Sequence, residues 1–492
     1  MSRIIIQNGN MCELDLPLKF AQKLYAEFAI RHPNAFYLRT RQRGMQNWDG
    51  KIHYINKHGE FKIGLLPAVY EKCIEYGIKP KVVDMRQPLP KVSKVVTKIG
   101  EYKLRPEQEK AVKAVINNKV GKVPFQIGVL DYTVNAGKTL IMSSLYLSYK
   151  KQLKTLLITN DSDWLNQARD EFKKYLPGEQ ITFVQGKVLN WSNFTIGMVQ
   201  SISRNMRFYQ NELAKVDMVL VDEADQAGSK QYQNVLTRLF NTRVRIGLSG
   251  TIYMSKLAKD KVKNTNLEVF FGKVLAEFKL KDSIKKGYST RTIVKMVPSK
   301  PWYGNWESEE VSYKEVYDDS ITFNKYAKRM VYSRLKWNLK QDRYPALVVC
   351  KFIAHCENLC KYFKKKLGSK YNIACVHVDT PSKIRQQIMK DFREGKIDIL
   401  VSTTIIARGK NFPKLRYLLN AASMDSQEKS IQFLGRLVRT DSSKKKVYLD
   451  DLHYPGPYLN RHGKHRKQYY QKQELKVILL EKIWKNHPIH SL

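Results

Sequence analysis

Three short stretches hold the side chains with chemistry to offer. In DYTVNAGKT, Gly137, Lys138 and Thr139 complete the pattern G-x-x-x-x-G-K-[ST], but Tyr132 stands where that pattern opens on glycine. Such a loop holds phosphate oxygens with backbone N–H groups, so it needs small residues and residues at ease with positive φ. Asn135, Ala136 and Gly137 meet that need. Lys138 then reaches the terminal phosphates, and Thr139 offers its hydroxyl to magnesium. In MVLVDEAD an apolar run delivers Asp222, suited to hold magnesium through water, and Glu223, suited to orient or deprotonate an attacking water. In QFLGRLVRT, Arg436 and Arg439 are three apart on one helix face, and each can set a charged fork on a phosphate oxygen. Each stretch alone has a plain alternative: a chance G-K-T, a solvated acidic turn, a surface helix. Together they describe phosphoryl transfer.

The elements that must position these groups are also legible. FQIGVLDY before the loop and TLIMSSLYLSY after it give strand, loop and helix in the required order. TLLITN, TIGMVQSI, MVLVDEAD and VRIGLSGT form one series of apolar runs; ALVVCKF, IACVHV, DILVSTT, RYLLNAAS and KVYLDDL form a second. Amphipathic segments separate them. In SDWLNQARDEFKKY, Trp164, Leu165, Ala168, Phe172 and Tyr175 lie near one face. In TPSKIRQQIMKDFREG, Thr380 can cap, Pro381 suits the first turn, Ile384, Ile388 and Phe392 form a stripe, and Gly395 can end the helix. Near-continuous apolar strands alternating with helices imply an α/β fold with two parallel-sheet lobes covered on both faces. The expected organisation is a small strand-rich module over 1–95, a nucleotide-binding lobe over 96–275, a second lobe over 276–455 and a basic helical extension over 456–492.

The chain has 492 residues and a formal net charge of +42. That excess favours nucleic acid, or an anionic membrane surface, as partner. No apolar run is long enough to span a bilayer and the opening residues lack signal-peptide character, so a soluble cytoplasmic protein is expected. The six cysteines form no C-x-x-C pair. Cys350, Cys356, Cys360 and Cys375 cluster in one segment and read as small core residues rather than a zinc site.

In order and content these motifs resemble superfamily 2 helicases and translocases over most of residues 100–455. The resemblance implies two RecA-like lobes, ATP and Mg2+ as cofactors and DNA as partner. It implies that Arg105 and Gln108 read the adenine, and that Gly409 and Asn411 join Asn135 through Thr139 in cofactor binding. Asn411 stands where the family commonly has aspartate. Gln167 in LLITNDSDWLNQ, Gln200 and Ser201 in GMVQSI, Lys351 in CKFIAH and Thr403 in ILVSTTIIARGKNFP match nucleic-acid contacts. Ser249 and Thr251 in GLSGT, with Gln432, match residues that couple hydrolysis to lobe movement. Arg436 and Arg439 match the family's arginine finger, supplied by the second lobe to nucleotide held by the first. The loop's missing first glycine fits as well, because helicases of this superfamily often lack it.

The S-G-T form of the coupling motif and Gln432 in place of histidine separate the chain from DEAD-box RNA helicases. NWDGKI, GLLP, YKEVYDDSITFNKYAKRMV and HGKHRKQYY resemble the UvsW-type helicases of tailed phages. That resemblance implies remodelling of branched DNA (fork regression, branch migration, annealing or hybrid unwinding), with the protein acting in the cytoplasm of a phage-infected bacterium. Two rivals remain: a translocase that pumps duplex without separating strands, and a basic annealing protein with a vestigial nucleotide site. Three accessory features could touch nucleic acid: the Arg39, Arg41, Arg43 alternation on a strand face, the Trp302, Tyr303 and Trp306 cluster, and the tail around Tyr469 and Tyr470. In that tail Leu475, Ile478 and Leu479 have the spacing of a helix docked on the second lobe.

Overall fold

The computed structural model describes residues 2–42, 44–160, 162–188, 190–250, 252, 258–299, 311–407, 412–425, 427–440 and 444–480. The chain divides into two compact units, Met1–Phe278 and Lys279–Leu492.

The first unit opens with β1 (Arg3–Ile6), β2 (Met11–Asp15), β3 (Glu60–Lys62) and β4 (Lys81–Asp84), a mixed sheet in the order β3-β2-β1-β4. A seven-stranded parallel sheet follows, made of β5 (Ile127–Tyr132), β6 (Thr155–Thr159), β7 (Ile181–Val184), β8 (Phe194–Met198), β9 (Met218–Asp222), β10 (Val244–Ser249) and β11 (Val274–Phe278). Its order is β7-β8-β6-β9-β10-β5-β11. Every residue of β5, β6, β9 and β10 is buried, as strands covered by helices on both faces require.

The amino-terminal module and this lobe share one apolar core, running from Ile4, Ile6 and Phe61 to Phe125, Val129 and Val221. Arg245, fully buried on β10, ties the two together: Nη2 donates to Gly9 O and to Asn10 Oδ1, both at 2.7 Å. Burial, and then the neighbouring Arg86 charge, press the Arg245 pKa down to about 9.

The second unit holds β12 (Arg291–Pro298), β13 (Ala346–Cys350), β14 (Ile373–Val376), β15 (Ile399–Thr403), β16 (Tyr417–Asn420), β17 (Lys446–His453) and β18 (Lys476–Leu479). They form a parallel sheet in the order β14-β15-β13-β16-β17-β12-β18. Successive strand residues face opposite sides of a sheet, and on β17 the neighbours Asp450 and Asp451 each take a different helix. Asp450 accepts from Arg334 Nε (2.8 Å) and Tyr417 Oη (3.0 Å). Asp451 accepts from Arg466 Nε (3.0 Å), Asn420 Nδ2 (2.9 Å) and Tyr470 Oη (2.7 Å). Arg466 and Asp451 are completely buried.

Three local expectations are corrected. Ala35–Arg41 is a helix, not a strand. Residues two apart lie about 200° apart around a helix, so Arg39 and Arg41 do not share a face; Arg43 lies outside the described residues. In the tail, Leu459–Lys472 is helical, but Lys476–Leu479 pairs as a parallel strand with β12 in place of a docked helix. A β-branched run such as KVIL suits a sheet edge as readily as a helix face. Finally, Ser382–Glu394 is helical with Gly395 ending it at φ 81, yet it buries Met389 and Phe392 while Ile384 is largely exposed. Thr380 Oγ1 accepts from His377 N (3.0 Å), bracing the turn ahead of the helix.

Candidate active site

Parallel strands deliver their carboxyl ends to one edge of the first sheet, where ligands bind in such folds. β5 ends there at Tyr132, β9 at Asp222 and β10 at Ser249. Tyr132 is buried with its hydroxyl on Glu107 O (2.6 Å), so it belongs to the strand, and the turn begins after it. Asn135 (φ 63) and Gly137 (φ 71) both hold left-handed backbone, and the helix Lys138–Ser148 starts directly behind them. A Cβ on Gly137 would come within 2.3 Å of Gln108 Nε2.

Arg105 and Gln108 brace this loop from beneath. Gln108 Nε2 donates to Ala136 O (2.8 Å), its Oε1 accepts from Arg105 N (2.8 Å), and Arg105 Nη2 donates to Asn135 O (2.9 Å). Both ends of the Gln108 amide are thus engaged within the protein. An adenine read by Gln108 would have to share it with the loop.

Lys138 Nζ lies 3.5 Å from Asp222 Oδ1, an ion pair at the outer edge of hydrogen bonding. Burial acts to lower the Lys138 pKa, but Asp222, then Glu223, outweigh it and hold it above its ordinary value; the ammonium stays charged. Among the described residues Asp222 Oδ1 is buried with no shorter partner, which fits an oxygen reserved for a metal-bound water. Glu223 sits at φ 54 and turns the chain off β9 into a short 3-10 turn, a left-handed conformation uncommon for glutamate. Thr139 is half-buried beside Lys138.

Sequence reasoning missed what joins these parts. Ser249 Oγ donates to Asp225 Oδ1 (2.7 Å), linking the S-G-T strand to the acidic turn. Gly250 packs so close to Thr133 that a Cβ would meet its Cα at 2.9 Å. Gln200 Nε2 donates to Asn160 O (3.2 Å), and Asn160 Nδ2 donates to Gln226 in the same acidic turn. Ser201 shares the helix Val199–Arg204 with Gln200. The final D of DEAD and the polar residues after LLIT were the available signal, but only the fold shows that they meet.

In the second unit Lys351 follows β13; its Nζ stands 3.7 Å over the Tyr313 ring, and its N–H donates to Tyr317 Oη (3.3 Å). Thr403 ends β15 and is buried. Arg436 closes the helix Gln427–Leu437, and the Arg439 carbonyl accepts from Thr290 Oγ1 (3.2 Å). Gln432 lies in that helix and Gln167 in the helix Ser162–Tyr175. Thr251, Gly409, Asn411, Trp302, Tyr303 and Trp306 lie outside the described residues.

The cysteines are free, and among the described residues no group of three or more His, Cys, Asp or Glu side chains is placed to hold a metal ion. Cys356 Sγ lies 3.4 Å from Cys375 Sγ; their contact and burial push the Cys375 thiol up to about 12. Among the described residues no helix is long and apolar enough to cross a membrane.

Residues 101–254 match the type III restriction enzyme res-subunit family, and residues 327–441 match the helicase conserved C-terminal domain. A protein of the Sulfolobus islandicus filamentous virus, designated a helicase, is 22% identical over 382 residues. That match covers 72% of this chain and 65% of the relative, so the chain spans less than two thirds of the relative's length. Among solved structures, Saccharomyces cerevisiae Dbp5 bound to RNA and ADP BeF3 aligns over 78% of this chain and 91% of its own, at TM-score 0.52 and 14% identity. Phage T4 UvsW aligns over 97% and 98%, at TM-score 0.45 and 19% identity. With one motor family matched in each unit and two seven-stranded parallel sheets to carry them, the chain belongs to the superfamily 2 helicases and translocases.

Proposed function

We propose that this protein is a nucleic-acid-dependent ATPase that remodels branched DNA. The single observation that carries the reading is the cradle at the edge of the first sheet. There a left-handed loop, Lys138, Asp222 and Glu223 converge; Ser249 is hydrogen-bonded to the acidic turn directly, and Gln200 is linked to it through Asn160.

The loop N–H groups and Lys138 hold the phosphates, and Arg105 and Gln108 close the base side. Thr139 and Asp222 would hold magnesium, which supplies charge neutralisation at the transferring phosphoryl group. Glu223 orients the attacking water and takes its proton. Arg436 and Arg439 stabilise the charge that develops on the phosphoryl oxygens; Ser249, Thr251 and Gln432 pass the change to lobe movement. Gln167, Gln200, Ser201, Lys351 and Thr403 hold the strand by its backbone, which suits work independent of sequence. The net charge of +42 supports a polyanionic partner.

Branched DNA is the finer part of the reading and rests on NWDGKI, GLLP and HGKHRKQYY, which resemble UvsW-type helicases. ATPase rates on single-stranded, duplex, forked and four-way-junction DNA, with matching RNA, test it. Forks and junctions should stimulate most; equal stimulation by linear duplex would contradict it. The restriction-motor family match over residues 101–254 favours a second reading, a duplex translocase that leaves strands paired. That protein would displace a triplex strand and fail to open a fork.

A further inference from the structure

The face of the second sheet that carries Asp450 is sealed at one end and open at the other. Toward the carboxyl ends of the strands, Val297 and Leu452 lie in the core, and the helix Lys325–Leu339 covers the face through Arg334 and Asn338, which both donate to Asp450. In-register partners on parallel strands point to the same side. Asp450 therefore shares its face with Lys446 and Tyr448 on β17, Arg291 and Lys295 on β12 and Lys476 on β18. Among the described residues of these strands, Asp450 is the only acid on that face. Arg291, Lys446 and Lys476 are each the first residue of their strand, and all three are exposed. Arg291 and Lys446 stand side by side in register, a like-charge contact that is unfavourable on its own. Arg343 lies 3.5 Å over the Tyr448 ring. Trp337, 41% exposed, has Arg343 at 4.8 Å and Lys295 at 4.5 Å from its ring centre. Burial lowers the Lys295 pKa first, and Arg334 and Arg343 add to that against Asp450.

We infer that this open face is a second nucleic-acid surface, taking the phosphodiester backbone of one DNA strand across Arg291, Lys446 and Lys476 with a base against Trp337. Arg334 is paired with Asp450 at 2.7 Å, while the other five cations form no ion pair among the described residues. Such an excess on one face suits a polyanion, whose phosphates also relieve the repulsion between Arg291 and Lys446. An exposed ring among the cations favours a single strand over duplex, because only unstacked bases offer a face to it. Lys351 and Thr403 stand at the carboxyl ends of β13 and β15, whereas this surface opens at the amino ends of β12, β17 and β18. It is therefore separate from the contacts that the helicase motifs supply in this unit. The inference rests on nucleic acid as partner and adds a place to hold a displaced strand.

Full-length protein carrying Arg291→Gln, Lys446→Gln and Lys476→Gln together tests this, by fluorescence anisotropy with a long labelled oligo-dT over a range of salt. The control carries Lys364→Gln, Lys365→Gln and Lys366→Gln, an exposed trio on the helix Ile353–Leu367, and loses the same charge. The first triple should weaken binding about tenfold and flatten the slope of log affinity against log salt by about 2, one phosphate contact per lost cation. The control should stay within about twofold of wild type, and both should keep the wild-type thermal midpoint. On a duplex of matching length the first triple should lose less than about threefold. Unchanged oligo-dT binding in the first triple, an equal loss in both triples, a loss that tracks a lowered midpoint, or an equal loss on duplex would each overturn this surface and leave the motor reading standing. Wild-type protein that binds no oligo-dT would overturn both.

Discussion

At the scale of single residues, the backbone shape of the candidate site was legible wherever it demanded a residue type. Left-handed backbone in a phosphate loop needs glycine or asparagine, and Asn135 and Gly137 hold φ values of 63 and 71. Tyr132, by contrast, looks like a defect in the motif and proves to be the buried end of a strand. What could not be read were pairings between distant residues of ordinary type, such as Asp225 with Ser249 and Asn160 with Gln226. Their local sequence marks them as polar residues at strand ends, but nothing in it says which of them pair. Gly137→Ala would carry about 1–2 kcal/mol of left-handed strain and push the Gln108 amide off the loop. Nucleotide affinity should fall at least about tenfold in a fluorescent-nucleotide titration, with the thermal midpoint only slightly lowered.

At the scale of elements, long apolar strands announced themselves, while the short edge strands Ile181–Val184 and Lys476–Leu479 did not. Four residues are too few to separate period two from period 3.6. The helix that follows His453 is held by a buried charge pair that spacing cannot reveal. Arg466→Met should destabilise the second unit by about 3–5 kcal/mol in urea unfolding, since it strands Asp451 in the interior. Arg466→Met with Asp451→Leu should recover much of that loss. His355 adds a pH signature. Burial presses its pKa down to about 3, and its Nδ1 meets Tyr317 Oη at 3.0 Å. The unfolded chain binds that proton near pH 6.5 and the folded chain does not, so stability is full above pH 6.5 and falls as pH drops toward 3. The slope is about 1.4 kcal/mol per pH unit for each such proton. His462, also pushed down by burial, adds to it. Urea midpoints between pH 7 and pH 5 should show the fall, and His355→Gln should flatten it.

At the scale of the whole molecule, each unit is organised around a parallel sheet, and each carries part of a motor. The first gathers the left-handed loop, Lys138, Asp222, Glu223 and Ser249 at one edge; the second carries Arg436, Arg439, Lys351 and Thr403. Their order along the chain was readable because each motif needs a strand end to stand on. The amino-terminal module was readable as a separate patch of basic sequence, but its union with the first lobe through Arg245 and a shared apolar core was not. A buried arginine looks like any other in sequence. The most direct test compares ATP hydrolysis with and without single-stranded DNA in wild type and Glu223→Gln, together with ATP affinity. DNA should accelerate the wild type at least about tenfold, and the variant should bind ATP with wild-type affinity yet hydrolyse it at least about a hundredfold more slowly. DNA-stimulated hydrolysis at the wild-type rate in Glu223→Gln would contradict the account.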